Sequence, residues 1–430
     1  MTTGQLISLA VLSGVVVTLI YGKVRAEIAA LAGAAILLIT GTVRPVEVQG
    51  AFASPALIAL ASLFVIAYAM ELSGLLGQLI RMAVRLCRRL GSTGLWIIVT
   101  LSGALSAFVN NTPIVVLTAP IVNDAARSLS VSPKKFLIPL SYATILGGSC
   151  TLIGTSTNLL VNDMARNAGQ PVFGLFEVTP VALCLALAGG VYLFLFANQL
   201  TEAAEPAKAS PLPRRAERAT GDNPSVFPLE RPFQPFQAAV SLMVFVSVVT
   251  LAALDVASIA ASAFAGAVFL IATGIVRADE AYKGLRPEIL LLIAGMVVIG
   301  LSLEITGLAT LATNLLLSGV NNLSPQQALV LMYGAALFLT EILSNATVAV
   351  LLTPIAVALA EGLGVSARPF LVAVMMAASA AFATPFGYQT NVLAYQLGRY
   401  TYMDFVKFGL PLNLLTWLVG ILAIPYFFPF

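Results

Sequence analysis

Two stretches decide how this sequence is read: Thr151-Leu152-Ile153-Gly154-Thr155-Ser156-Thr157-Asn158 and Thr384-Pro385-Phe386-Gly387-Tyr388-Gln389-Thr390-Asn391. Each falls inside a long apolar run, 136–164 or 369–397, yet is crowded with glycine, hydroxyls and amides, and the second also holds a proline. Such residues compete with the backbone ladder or remove a donor from it, so they break a helix more readily than they continue one. The stretches lie 233 residues apart, which sets Thr151, Gly154, Thr157 and Asn158 onto Thr384, Gly387, Thr390 and Asn391.

The same shift carries Gly41 and Arg44 onto Gly274 and Arg277, and Glu71 and Gly74 onto Glu304 and Gly307. With one residue inserted, Asn111 and Pro120 fall on Asn345 and Pro354. A nearly constant offset over so many positions reads as an internal repeat. The expected units are residues 1–199 and 238–430, joined by a segment 200–237 whose Glu202, Glu205, Lys208, Arg214, Arg215, Arg218 and many prolines suit a polar linker.

Composition places both units in a bilayer. The chain of 430 residues is 59% hydrophobic and only 10% charged, against roughly 25% charged in a soluble domain. Its apolar runs of about 16 to 25 residues match a hydrocarbon core of about 30 Å crossed as helix. With no histidine, and with Cys87, Cys150 and Cys184 scattered, the sequence offers no imidazole metal site, hydrolytic triad or thiolate cluster, so an enzyme is not expected. The 22 basic against 19 acidic residues are too balanced for nucleic-acid binding. The fold class is therefore an all-α polytopic membrane protein.

The helices expected in the first half are 5–21, 26–41, 55–72, 94–109, 112–126, 136–164 and 178–198; those in the second are 238–254, 259–274, 288–305, 328–343, 346–360, 369–397 and 408–428. The fourth and fifth of each set are short and meet at Asn110-Asn111-Thr112-Pro113 or Ser344-Asn345-Ala346-Thr347, so each pair reads as a re-entrant hairpin. Each long helix that follows is broken at its polar stretch. A hairpin returns to its own side, leaving an odd number of crossings per half and hence two inverted-topology repeats. That arrangement puts 19 of the 22 lysines and arginines on one side, with only Arg44, Arg166 and Arg368 on the other. By the positive-inside rule the linker is cytoplasmic and both termini lie outside. The stretch 75–90, with Arg81, Arg85, Arg88 and Arg89, reads as an interfacial cytoplasmic arm.

Tips and breaks supply the chemistry. Asn111, Thr112, Thr155, Ser156, Thr157 and Asn158 come from one half, and Ser344, Asn345, Thr384, Gln389, Thr390 and Asn391 from the other. Amide, hydroxyl and freed carbonyl oxygens suit a dehydrated hard cation such as sodium. Helix N-termini suit an anion, and Thr112-Pro113 and Thr384-Pro385 read as restart points, a capping residue followed by proline. Isolated threonines such as Thr118 and Thr250 read as packing residues instead. Glu341, three residues before the second tip, stands opposite Ala107 in the repeat and is a candidate coupling residue.

The tips Asn110-Asn111-Thr112 and Ser344-Asn345-Ala346, with the runs 154–158 and 385–391, resemble the divalent anion:sodium symporters, solute carrier family 13 of the ion transporter superfamily. The resemblance spans nearly the whole chain. It implies a homodimer in the cell (inner) membrane, with a scaffold, a moving transport domain and elevator-type alternating access. It implies no cofactor, with sodium as the coupling ion. The anion is then held by Asn110, Asn111, Thr112, Ser344, Asn345, Ala346, Thr157 and Thr390, and two sodium ions by Asn111, Gly154, Thr155, Asn158, Ser344, Asn345, Gly387 and Asn391. The family's tips read Ser-Asn-Thr, whereas Asn110 and Ala346 depart from that pattern in the manner of the sulfate-type branch. Sulfate is thus the favoured anion, with a dicarboxylate as the alternative. A sodium:proton antiporter or arsenite permease is disfavoured because no carboxylate lies in 151–158 or 384–391. A channel is disfavoured because the polar residues gather at one depth.

A cysteine introduced at Ser210 is expected to react with an impermeant maleimide only from the cytoplasm, and one at Asn321 only from outside. Labelling of both from one face would contradict the inverted arrangement.

Overall fold

The protein is described by a computed structural model, which covers residues 2–21, 24–75, 77–78, 90–201, 232–254, 256–285, 287–308, 323–385 and 387–430. Most of the linker, most of the arm 75–90, Cys87, Asn321 and Phe386 lie outside the described residues. The first half contributes α1 (Thr3–Tyr21), α2 (Ala26–Ile39), α3 (Pro45–Phe52), α4 (Pro55–Leu72), α5 (Ser92–Ser106), α6 (Asn111–Ser128), α7 (Lys134–Gly148), α8 (Ser156–Asn167) and α9 (Thr179–Phe196). The second contributes α10 (Pro235–Ala253), α11 (Ile259–Ala272), α12 (Ala278–Gly284), α13 (Pro287–Ile305), α14 (Pro325–Thr340), α15 (Asn345–Leu363), α16 (Arg368–Ser379), α17 (Gln389–Gly398) and α18 (Tyr402–Phe427). The chain is all-helical among the described residues. Five helical stretches within them are long and apolar enough to cross a membrane, including α9, α10, α15 and α18. The protein is an integral membrane protein. Outward faces such as Leu183, Leu187 and Val191 of α9, and Leu242, Met243 and Val246 of α10, are exposed as hydrocarbon requires.

The structure adds two short helices, α3 and α12, that hydropathy does not reveal, because eight and seven residues are too few for an apolar run. Both begin alike. A left-handed glycine, Gly41 at φ 71° or Gly274 at φ 73°, turns the chain. The backbone N–H of Arg44 or Arg277 then donates to the carboxylate of Glu47 (2.6 Å) or Glu280 (3.2 Å), closing a capping box. The second hairpin legs, α6 and α15, run to 18 and 19 residues, longer than the expected 112–126 and 346–360. Beyond the expected end at 360, α15 continues through Glu361 and Gly362 to Gly364, whose φ of +67° provides the cap.

Packing divides the helices into two groups. One comprises α1–α4 with α10–α13, in which α2 lies on α13 and α4 on α11. The other holds the hairpins, the broken helices, α9 and α18. The main packing between the groups runs through α8, which lies against α4 and α13, and there Ser54 Oγ donates to the buried Asp163 at 3.2 Å. The first group is reciprocal in detail. A Cβ on Gly33 would meet Val11, Val15 and Ile299, and one on Gly266 would meet Val244, Val248 and Ile66, each residue displaced by 233 from its counterpart. Contact pairs that exchange between halves in this way are what a local two-fold axis produces.

In the second group α7 and α16 are buried around their whole circumference for most of their length, from Phe136 to Tyr142 and from Pro369 to Ser379. An all-round apolar helix belongs at the centre of a bundle. There α5 crosses α7 so closely that a Cβ on Gly147 would stand 1.9 Å from the Gly103 carbonyl oxygen. Gly147→Ala should therefore force the helices apart, costing about 1–3 kcal/mol and lowering the thermal unfolding midpoint of the purified protein. Gly190→Ala, where a Cβ meets nothing within 4 Å, should leave it unchanged or raise it.

Candidate functional site

Both expected breaks are present. Between α7 and α8 the chain leaves the helix over residues 149–155, and between α16 and α17 over 380–388. Each break is built around a threonine turn: Thr151 Oγ1 accepts from the N–H of Gly154, and Thr384 Oγ1 from that of Gly387, both at 3.1 Å. The same hydroxyls donate to the neighbouring hairpin, Thr151 to the carbonyl of Ala107 and Thr384 to the carboxylate of Glu341 at 2.8 Å. Each hairpin is thereby tied to the break of its own half.

Neither helix restarts where the proline positions suggest: α6 begins earlier and α17 later. The residue capping α6 is Asn110, whose Oδ1 accepts from Thr112 N at 3.4 Å, so Pro113 sits within the first turn where no N–H is required. The threonine of Thr384-Pro385 serves the turn described above, and α17 begins only after Tyr388. Ser344 caps α15 by accepting from Thr347 N at 3.2 Å.

Matched hydroxyls hold the two tip asparagines. Ser106 Oγ donates to Asn111 Oδ1 at 2.5 Å, and Thr340 Oγ1 lies 2.8 Å from the Asn345 amide. In the orientation that gives both Asn345 amide atoms compatible neighbours, its nitrogen donates to Gly387 O at 3.2 Å. Asn111 is fully buried, and its nitrogen reaches across the halves to the Tyr388 hydroxyl at 2.8 Å. Beside it Thr112 donates to Gln389 at 3.1 Å. The first tip thus reaches the second break and the second tip its own, while α15 and α6 each lie along the post-break helix of the opposite half. Among the described residues no hydrogen bond passes directly between the tips. Ala346 brings no hydroxyl, and Thr157 and Thr390 are buried.

The break asparagines differ. Asn158 donates through Nδ2 to Ser149 O (3.3 Å) and Thr151 O (3.0 Å), and Asn391 to Ala381 O (2.8 Å) and Thr384 O (3.2 Å). These bonds fix which amide atom is oxygen. Asn391 Oδ1 accepts from Ser141 at 2.6 Å, whereas Asn158 Oδ1 is buried with no hydrogen-bond partner. Thr155 caps α8 by accepting from Asn158 N, and carbonyl oxygens of Ser106, Ala107 and Gly148 crowd Gly154 within 3 Å of where a Cβ would be.

Glu341 proves to be part of the second break. Its carboxylate accepts from Ala383 N (2.8 Å), Thr384 Oγ1 (2.8 Å) and Asn413 Nδ2 (2.7 Å). All three neighbours are donors, the surroundings an ionised carboxylate satisfies. Sequence reading passed over Ser106, Thr340, Ser141, Tyr388 and Asn413. The first two match under the repeat and were findable by it, whereas Ser141 faces Val374 and Asn413 faces Pro180 at the same shift.

A family model described as CitMHS, citrate transporter, matches residues 16–362 and 249–429. The uncharacterized transporter sll0640 of Synechocystis is 25% identical over 87% of this chain and 89% of its own length. A probable sodium/sulfate cotransporter 3 of Chlamydomonas reinhardtii is 47% identical over 98 residues, 21% of this chain and 11% of that protein. Among solved structures, the Alcanivorax borkumensis YdaH transporter superposes with a TM-score of 0.60 at 16% identity, over 88% of this chain and 86% of the other, a likeness of fold.

Glu341→Gln would turn an amide N–H₂ toward neighbours that are themselves donors. It should destabilise the second hairpin by about 1–3 kcal/mol, read as a lower unfolding midpoint, while Glu361→Gln, on the far end of α15, should not.

Proposed function

Because the chain belongs to the CitMHS citrate transporter family and is a membrane transporter, we propose that it takes up a small divalent anion, sulfate before a di- or tricarboxylate, together with sodium. One observation carries the cation: Asn158 Oδ1, fully buried, fixed in orientation and without a donor. A buried carbonyl oxygen left without a donor is costly in an apolar interior, and a dehydrated cation supplies the missing partner. Asn111, Gly154 and Thr155 stand around the same break, and Ser344, Asn345, Gly387 and Asn391 form the corresponding set in the second half.

The anion rests on neutral groups. No lysine or arginine lies in either tip or either break, so amides, hydroxyls, helix dipoles and the neighbouring sodium ions hold the dianion. Asn110, Asn111, Thr112, Ser344, Asn345, Ala346, Thr157 and Thr390 line this position in the proposal. The amide of Asn110 and the missing hydroxyl of Ala346 favour a compact tetrahedral anion, in keeping with the sodium/sulfate name of the Chlamydomonas relative. Glu341 acts here as a brace for the second break.

The two packing groups support elevator movement, with α1–α4 and α10–α13 as the scaffold and the hairpins and broken helices as the moving body of a homodimer. Residues 1–199 and 238–430 are read as inverted repeats joined by the cytoplasmic linker 200–237, with both termini outside.

Uptake of labelled sulfate into proteoliposomes should require an inward sodium gradient and should be inhibited less by succinate or citrate than by unlabelled sulfate. Asn158→Ala should raise the sodium concentration for half-maximal uptake about tenfold, the loss of ~1.4 kcal/mol of binding. Equal or stronger inhibition by a carboxylate would replace the sulfate reading. An unchanged sodium requirement would assign Asn158 to packing.

A further inference from the structure

Ser141 lies in α7, about two turns before the first break, and its hydroxyl reaches two residues of the opposite half. Its Oγ is 2.8 Å from Thr390 Oγ1 and 2.6 Å from Asn391 Oδ1, and all three residues are fully buried. A serine hydroxyl carries one proton, so it donates to one of these neighbours at a time. The Asn391 oxygen is a pure acceptor whose orientation is fixed by the two bonds its nitrogen makes. The Thr390 hydroxyl is both donor and acceptor.

These three groups therefore form a short chain with two polarities. In one, Thr390 O–H donates to Ser141 and Ser141 O–H donates to Asn391. In the other, Ser141 O–H donates to Thr390, and the Thr390 proton points away from Ser141. We propose that Ser141 is a positioning residue that couples cation occupancy at Asn391 to anion binding at Thr390. The inference rests on the sodium and anion assignments made above for Asn391 and Thr390.

The physical step is a rotation of two hydroxyls, with no proton leaving either oxygen. A cation ligated by Asn391 Oδ1 repels the hydroxyl proton aimed at that oxygen and attracts the lone pairs of Ser141. Ser141 then turns its proton to Thr390, and Thr390 turns its own proton outward, where a dianion accepts it. Hydroxyls in series polarise one another, so the two rotations reinforce each other in a buried setting. By linkage, an anion that accepts from Thr390 favours the same polarity and tightens the cation in return.

The first half lacks this device. At the repeat shift of 233, Ser141 corresponds to Val374, which has no hydroxyl, and Asn158 Oδ1 has no donor. The cation at Asn158 is thus bound without a relay, and the cation at Asn391 is the one linked to the anion.

The test measures the Michaelis constant for labelled sulfate, with labelled citrate in parallel, at low and saturating sodium in proteoliposomes of full-length protein. In the unaltered protein, saturating sodium should lower that constant by about fivefold or more, the usual size of a coupling between sites. Ser141→Ala should reduce the effect to less than about twofold while the maximal rate at saturating sodium is kept, a split that a purely structural defect does not produce. Thr390→Val, which breaks the chain at its other end, should give the same loss of sodium dependence and serves if Ser141→Ala folds poorly. Asn391→Ala is the reference variant. If it abolishes the sodium effect while Ser141→Ala and Thr390→Val retain it, the relay is wrong and the sodium site stands. If Asn391→Ala also retains it, the assignment of the second break falls and the relay falls with it.

Discussion

A backbone that leaves its helix inside a bilayer frees N–H and C=O groups that lipid cannot satisfy, and each one left alone costs several kilocalories per mole. Every other feature of the site follows from how those groups are paired. At the first break the carbonyls of Ser149 and Thr151 are taken by the Asn158 amide, that of Cys150 by Thr179, and the N–H of Leu152 by the carbonyl of Leu175. At the second, Asn391 takes the carbonyls of Ala381 and Thr384, Tyr142 that of Phe382, and Glu341 accepts the N–H of Ala383. The asparagines act first as backbone substitutes. Each amide nitrogen is committed to carbonyls of its break, which leaves the Asn158 oxygen buried without a hydrogen-bond partner and the Asn391 oxygen to accept from Ser141.

The tie from break to hairpin converts local satisfaction into a rigid unit. Thr151 and Thr384 each serve a turn with one lone pair and a hairpin with their proton, so each break is hydrogen-bonded to the hairpin of its own half. Glu341 and Asn413 extend this unit to α18 in the second half, where Gly409 lets that helix approach the Phe382 carbonyl. Aromatic contacts of Tyr142 with Phe382, Phe405 and Phe408 fill the space between. The contrast with the other helix group, whose contacts are largely apolar and reciprocal, is a contrast between a braced body and a packed one.

The two breaks are legible in the sequence because glycine, proline and polar residues are conspicuous against an apolar background. The short helices α3 and α12 are not, since their formation depends on a capping box after a turn rather than on an apolar run. The cap of α6 is misplaced by two residues, because Asn110 competes with Thr112 for the same role and sequence alone does not rank them. The place of Glu341 escapes for a different reason. Counting carboxylates within 384–391 misses one supplied by the facing hairpin, 43 residues away along the chain. Likewise Ser141 meets Asn391 only through the fold, over 250 residues.

The mirrored glycines Gly33 and Gly266 set a limit on how the two halves can diverge. Each leaves room for three aliphatic side chains, two from its own half and one from the other, Ile299 or Ile66. An enlargement at either position strains a close-packed seam that both halves build, and relief must come from a smaller residue in one half or the other. Sequence drift in one half is therefore screened against the current state of its counterpart. The helices around Gly33 and Gly266 should change slowly and in step over evolutionary time, whereas Ser141 and Val374, paired by the same shift of 233, already differ.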